Sequence, residues 1–168
     1  GFVALSYAHN FNLPVFTVRC ANIYGPGDMN TSRLIPNSIL RILQGKPPVL
    51  YGAVADYVRE FIFVEDAAQA MLELMTLIEK ARGEAFNLGS GEKFRIRDAL
   101  TILCDALHSD LKPEVIEKPE TFKEIPEQYL DLSKLVALLP YFSPRKFSEG
   151  IPQTVAWYKE AYKSNKLS

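Results

Sequence analysis

Residues 20–36 read CANIYGPGDMNTSRLIP, and how this stretch is parsed decides the fold. Ahead of it, VFTVRC at 15–20 is apolar and β-branched, and the run reaches Ile23. Behind it, NSILRILQG at 37–45 has a helical period. Connections between adjacent elements usually take only a few residues. This one holds Gly25-Pro26-Gly27, a string of small polar residues and then a single cation, Arg33. In open α/β sheets, ligands bind beyond the carboxyl ends of strands, where such a loop lies.

The pattern recurs. EAFNL at 84–88 leaves through Gly89-Ser90-Gly91 and is followed by a helix over 96–107. Two apolar strands, each followed by a glycine-containing loop and a helix, predict an α/β fold with a parallel sheet. Both strands read as buried on both faces. A helix at 2–10 precedes the first strand, and the pieces between and after the two strands predict a smaller appended lobe. Between them lie a helix at 34–43, closed near Gly45, and short strands at 47–52 and 59–64. A helix capped by Asp66 closes at Arg82-Gly83. A short strand at EVIE, 114–117, gives way to an irregular segment, a helix capped by Asp131 or Ser133, and a surface helix over 148–162.

Of the 168 residues, 48% are hydrophobic, which excludes a disordered chain. The formal net charge of -1, with both signs interspersed, provides no footprint for nucleic acid or an anionic membrane. No apolar run reaches the ~18 residues of a membrane span. No secretory signal is visible. The two cysteines lie far apart in apolar segments and read as buried free thiols of a reducing, cytoplasmic setting. Two histidines and no Cys/His cluster predict no metal site. The chain opens mid-pattern, without a helix-start signal, and reads like the middle of a longer protein.

Several polar positions carry two readings. Asn22, at a strand tip, is either a turn-capping residue or a ligand contact. A cation at a helix N-terminus opposes the dipole, so Arg33 is either solvated or the partner of a bound anion. Arg59 pairs with Glu60 or Asp56, or joins Arg33 in a clamp on a diphosphate, since a guanidinium fork suits phosphate oxygens. Glu65 and Asp66 could serve acid–base chemistry, but both also favour a helix N-terminus, which is the stronger reading. NLGSGEKF at 87–94 has Gly-x-Gly but Phe94 where a dinucleotide fingerprint has its third glycine. Asn87 within it is either structural or a ligand contact. His9 and His108 read as surface or helix-end groups. Tyr7, Tyr57, Tyr129 and Tyr141 read as packing or rim residues.

Five ordered blocks carry a family resemblance. They are LPVFTVRCANIYGPGD (13–28), RLIPNSILRILQGKPPVLYG (33–52), VREFIFVEDAAQAMLEL (58–74), GEAFNLGSGEKFRIRDAL (83–100) and EIPEQYLDLSKLVALLP (124–140). Together they resemble the second half of an NAD-dependent epimerase/dehydratase, an extended short-chain dehydrogenase/reductase. The last block and GDMNTSRLIP are most similar to nucleotide-sugar 4,6-dehydratases such as those acting on CDP-glucose. The resemblance implies the C-terminal portion of an extended Rossmann-like parallel sheet plus a smaller mixed α/β substrate-binding lobe. Residues 1–33 would end the Rossmann-like domain. Residues 34–168 would be mostly substrate lobe, with 60–90 returning a helix and strand to the sheet.

The resemblance also implies roles. Asn22 would contact the sugar, and Ile23 would lie against the cofactor, NAD or NADP. Arg33, Leu34, Ile35 and Pro36 would form the nucleotide-sugar loop. Tyr51 would lie by the base, Arg59 on the diphosphate, and Asn87 near the nucleotide. Glu127 and Gln128 would belong to the segment closing the pocket. The partner implied is a nucleoside-diphosphate sugar, and the assembly a homodimer paired through the helix at 2–10. The family's glycine-rich phosphate loop, its Tyr-x-x-x-Lys pair and the dehydratase acid–base pair belong ahead of Gly1, so no catalytic residue is expected within 1–168. A 4-epimerase or reductase of the same family is the alternative, and a non-catalytic scaffold the third reading. In YGAVADYVRE, 51–60, Ala53 and Glu60 stand where the resemblance implies the aspartates of a Gly-Asp-Gly turn and an Arg-Asp pair, and the turn is about one residue longer, which leaves the base and sugar open.

Overall fold

The apolar run at 15–23 does not form one strand. It breaks at Ala21 into β1 (Thr17–Cys20) and β2 (Asn22–Tyr24), and the halves join different sheets. The computed structural model describes residues 1–117 and 124–164. β1 pairs in parallel with β5 (Ala85–Leu88), from Thr17 opposite Ala85 to Cys20 opposite Leu88. β2 pairs in parallel with β4 (Val58–Phe63), Asn22 lying opposite Phe61. One continuous stretch of sequence therefore steps from one sheet to the next, and the polar loop begins beyond the second.

β4 is the hub. Besides β2, it holds β6 (Lys93–Arg95) antiparallel and β8 (Glu127–Gln128) parallel. β3 (Val49–Tyr51) and β7 (Glu114–Ile116) form a separate parallel pair. The seven helices are α1 (Phe2–Phe11), α2 (Leu34–Leu43), α3 (Val64–Thr76), α4 (Ile78–Ala81), α5 (Ile96–Leu107), α6 (Ser133–Leu138) and α7 (Phe147–Lys163) among the described residues. The α/β class with parallel pairing is as the sequence predicts.

Side chains alternate across a strand, and β4 divides the core accordingly. Phe61 and Phe63 join a cluster with Ile39, Leu100, Leu103, Phe147, Ile151 and Tyr158, built on α2, α5 and α7. Ile62 points the other way, to Ala70, Leu74, Phe86, Leu88 and Leu135 on α3, β5 and α6. Each fully buried Phe, Ile or Leu adds about 1.5–3 kcal/mol. The run FIF thus reads as continuously apolar because both faces of β4 are covered.

Four expectations are corrected. β1 is only half-buried and Arg19 is exposed, so it is not covered on both faces. α3 starts at Val64, directly from β4, so Asp66 lies in its first turn rather than at its cap. Its carboxylate instead accepts from the Arg145 backbone N–H at 2.8 Å and pairs with the Arg145 guanidinium at 3.1 Å. The segment after β7 is not wholly irregular, because β8 forms there. α7 is not a surface helix: Phe147, Ile151 and Tyr158 on its inner face are at most 1% exposed. Gly150 permits this approach, since a Cβ there would run into the Tyr24 hydroxyl and the Phe63 ring.

Other readings hold. α2 and α5 begin and end as predicted. Gly45 takes φ +73° just past α2, the left-handed conformation of a helix stop. α6 is the exception: its cap position is Leu132, neither Asp131 nor Ser133. Asp131, one residue ahead of it, accepts from both the backbone N–H and the hydroxyl of Ser133, and these bonds hold its carboxyl below the ordinary range. Cys104 is buried and Cys20 half-buried, both free, and burial raises both thiols.

Candidate functional site

The loop between β2 and α2 is folded by its own side chains. Asp28 Oδ1 accepts the Asn30 N–H at 3.0 Å. Asn30 Oδ1 accepts the Ser32 N–H at 3.1 Å and its hydroxyl at 2.6 Å. The Asn37 amide reaches back to the Thr31 carbonyl at 3.0 Å, and the Tyr158 hydroxyl donates to the Asp28 carbonyl. These local bonds explain why the connection is rich in Asp, Asn and Ser. They deliver the chain to Arg33, the N-cap of α2, with Pro36 in the first turn where its missing N–H is harmless.

Two clefts share a wall formed by Asn22, Leu34 and Phe61. The first, about 410 Å³, adds Ile23, Asp28, Arg33 and Ile35. The second, about 610 Å³, adds Ser38, Arg41, Tyr51, Arg59 and Glu124. A smaller hollow of about 200 Å³ lies along Gly25, Pro26 and Gly27, again beside Ile23 and Arg33. Gly25 is packed so closely on Val64 that a Cβ would overlap it.

Arg33 and Arg59 differ physically. The Arg33 side chain is 59% exposed and pairs with Asp28 at 3.1 Å. The conflict between its charge and the helix dipole is thus relieved by the chain's own carboxylate, where the sequence suggested an external anion. Arg59 is 8% exposed and pairs with Glu124 at 3.1 Å. Its Nη1 also donates to the Val58 carbonyl at 2.9 Å and the Pro126 carbonyl at 3.4 Å. Neither Glu60 nor Asp56 is its partner. Asp56 takes Arg97 at 2.6 Å. Glu60, 1% exposed, accepts backbone N–H groups from Gly91 at 2.7 Å and Leu130 at 2.8 Å. A Cβ on Gly89 would displace that carboxylate. The two arginines line different clefts, and Arg41 is the second guanidinium beside Arg59.

Asn22 is exposed on the shared wall, and its NH₂ donates to the Glu60 carbonyl at 3.0 Å. Ile23 is 36% exposed, and Tyr51 is 42% exposed at the rim of the larger cleft. Leu34 and Ile35 flank the opening of α2. Asn87, Glu127 and Gln128 line neither cleft: Asn87 ties β5 to the Asp131 carbonyl at 3.0 Å. Glu127 and Gln128 sit exposed on β8, where Glu127 accepts from the Tyr129 hydroxyl at 3.3 Å. Sequence reasoning missed Ser38 and Arg41. Their signal was available: Asn37, Ser38 and Arg41 recur at helical spacing, forming a polar stripe beside the apolar one.

Ile23 leaves an exposed apolar side chain beside the smaller cleft and the glycine-lined hollow, a surface on which a flat ring can pack. The residues present therefore suit one end of a dinucleotide cofactor and carry no complete Gly-x-Gly-x-x-Gly loop for the other.

The comparisons agree with this architecture. Residues 3–89, just over half of the chain, match the profile of the NAD dependent epimerase/dehydratase family. A dTDP-glucose 4,6-dehydratase of Salmonella typhimurium is 29% identical over 160 residues, which is 91% of this chain and 43% of that protein. A solved dTDP-glucose 4,6-dehydratase from Streptomyces venezuelae, with NAD bound, superposes with a TM-score of 0.83 at 28% identity. It covers 99% of this chain and 51% of its own. A UDP-N-acetylglucosamine 4-epimerase from Methanobrevibacter ruminantium M1, in complex with UDP-N-acetylmuramic acid, gives 0.81 at 27% identity, covering 95% and 50%. The chain spans about half the length of the relatives it matches.

Proposed function

Because the chain belongs to the NAD dependent epimerase/dehydratase family, we propose that it forms the substrate-binding part of an enzyme acting on a nucleoside-diphosphate sugar. The reaction proposed is 4,6-dehydration. NAD, when bound, supplies the transient hydride acceptor. The residues of this chain bind and orient. The nucleoside occupies the larger cleft against Tyr51, the diphosphate meets Arg59, and the sugar lies at the β2 tip beside Asn22. Arg33, at the edge of the smaller cleft, guides the charged substrate inward, and Ile23 faces the nicotinamide. Asn87, Glu127 and Gln128 remain proposed second-rank contacts through the segments they anchor. The division proposed is a Rossmann-like end at 1–33 and a substrate lobe from 34 on, with 60–90 returning to the first sheet. α1, with Phe2, Val3, Tyr7 and Phe11 exposed, is the face proposed for a second copy of the chain.

The single observation carrying this reading is Arg59: a guanidinium 8% exposed, lining a cleft and already holding a carboxylate at 3.1 Å. A buried fork that accepts one anion is preorganised for another. Such contacts govern affinity and orientation rather than bond-making. Arg59→Ala is expected to weaken nucleoside-diphosphate-sugar binding by ~2–3 kcal/mol. Titration calorimetry showing the same affinity in both proteins would rule out the diphosphate assignment. A 4-epimerase is the second reading, favoured by the likeness to the UDP-N-acetylglucosamine enzyme. Product analysis separates the two, because dehydration yields a 4-keto-6-deoxy sugar and epimerisation an isomer of unchanged mass.

A further inference from the structure

Among the described residues, four polar or charged ones are buried: Ser38, Arg59, Glu60 and Thr154. Three have side-chain partners. Arg59 holds Glu124, Glu60 holds two backbone N–H groups, and the Thr154 hydroxyl donates to the Gly150 carbonyl at 2.9 Å. Ser38, 2% exposed, makes no side-chain hydrogen bond among the described residues, and it lines the larger cleft. Its hydroxyl is not sealed from solvent: Thr17 Oγ1 is the one fully buried side-chain oxygen or nitrogen left without a partner among the described residues, so the Ser38 hydroxyl opens to the cleft. A serine in a helix can turn its hydroxyl back to the carbonyl four residues earlier, as Thr154 does with Gly150. No such bond holds Ser38.

Its place in the cleft narrows what it can meet. Leu34, Ser38 and Arg41 fall on one stripe of α2, and all three line the cleft. Arg41, at the outer end, is tied to the Pro47 carbonyl at 2.7 Å and to Glu114 at 3.3 Å. Leu34, at the inner end, belongs to the wall shared with the smaller cleft. Ser38 lies between them, and β3 supplies Val49, Leu50 and the exposed Tyr51 to the same cleft. Apolar walls with an aromatic ring at the rim suit a flat heterocycle. A lone hydroxyl that both donates and accepts suits the polar edge of that heterocycle.

We infer that Ser38 is a specificity-determining residue, its hydroxyl reading the edge of the nucleoside base. This rests on the nucleoside-diphosphate reading above and adds the group that distinguishes one base from another.

The test is calorimetric titration of wild type and Ser38→Ala with UDP, dTDP, CDP and GDP, and with inorganic pyrophosphate. Ser38→Ala is expected to lower affinity for the preferred nucleotide about tenfold, the scale of one hydrogen bond. It should narrow the spread among bases and leave pyrophosphate unchanged. Its melting temperature without ligand should stay level, since the hydroxyl holds no bond within the chain. A structural role would instead lower the melting temperature and leave the base ranking alone, which would overturn the inference. So would equal losses for all four nucleotides, which would put the hydroxyl on the ribose. Wild-type binding with an unaltered Ser38→Ala profile defeats the Ser38 assignment alone. Absence of nucleotide binding to wild type, by contrast, defeats the nucleoside-diphosphate reading and this inference together.

Discussion

Arg59 and Arg33 begin as equals in the sequence, two cations beside apolar elements in a chain of balanced charge, and the structure makes them unlike. Arg59 sits on the hub strand, 8% exposed, with Glu124 and two carbonyls around its guanidinium. Arg33 sits at a helix start, 59% exposed, with Asp28 as its one ion pair among the described residues. Arg59 is fixed by the core, so ligand binding costs it little further ordering. Arg33 is exposed to solvent screening by comparison, and exposed pairs of this kind contribute only about 0–1 kcal/mol. On the proposed function, the larger cleft would serve tight recognition and the smaller one approach.

The sharpest way to break this contrast is to loosen the hub. Glu60→Ala removes the acceptor for the Gly91 and Leu130 N–H groups and should cost about 3 kcal/mol in denaturant unfolding. A cost under about 1 kcal/mol would mean that these loops are held otherwise. Next comes Arg59→Lys, which keeps the charge but loses the fork. It should weaken nucleoside-diphosphate binding by about 1–2 kcal/mol while the same change at Arg33 is nearly silent. Equal effects at both sites would erase the distinction drawn between them.

Tyr158→Phe removes the hydroxyl that holds the Asp28 carbonyl. The expected loss is about 1 kcal/mol, with faster amide exchange confined to residues 28–33. The same tyrosine gives a pH signature. Burial, then the Asp28 charge, raise its pKa well above the ordinary 10.0, and burial does the same for Tyr24. The unfolded chain thus releases these protons first. Their contribution to stability is complete below pH 10 and declines as pH rises beyond it. Tyrosinate absorbance should show two of the eight tyrosines titrating late, or only on unfolding. The smallest effect is that of Arg33→Ala on folding, expected within about 0.5 kcal/mol because its pair with Asp28 is exposed.

Much of the fold was legible in the sequence. α2 and α5 declare themselves through apolar period and their stops, and the two parallel strand–loop–helix units are where the pattern puts them. The break at Ala21 was hidden, because residues on both sides are apolar and nothing local marks a change of sheet. α7 looked like a surface helix because its outer face is strongly polar, while its inner face depends on Gly150 admitting Tyr24. At the site, Asn22, Ile23, Arg33, Leu34, Ile35, Tyr51 and Arg59 gather on the clefts. Asn87, Glu127 and Gln128 do not. The identity of each ion-pair partner was out of reach: Glu124 lies 65 residues from Arg59, and only the tertiary fold brings them together.

The most direct test is a backbone-amide NMR titration of the protein with dTDP and UDP. The account predicts the largest shifts at residues 34–38, 49–51 and 58–60, smaller ones at 28–33, and little change on α1. Shifts confined to surfaces away from α2 and β4, or none at saturating nucleotide, would contradict it.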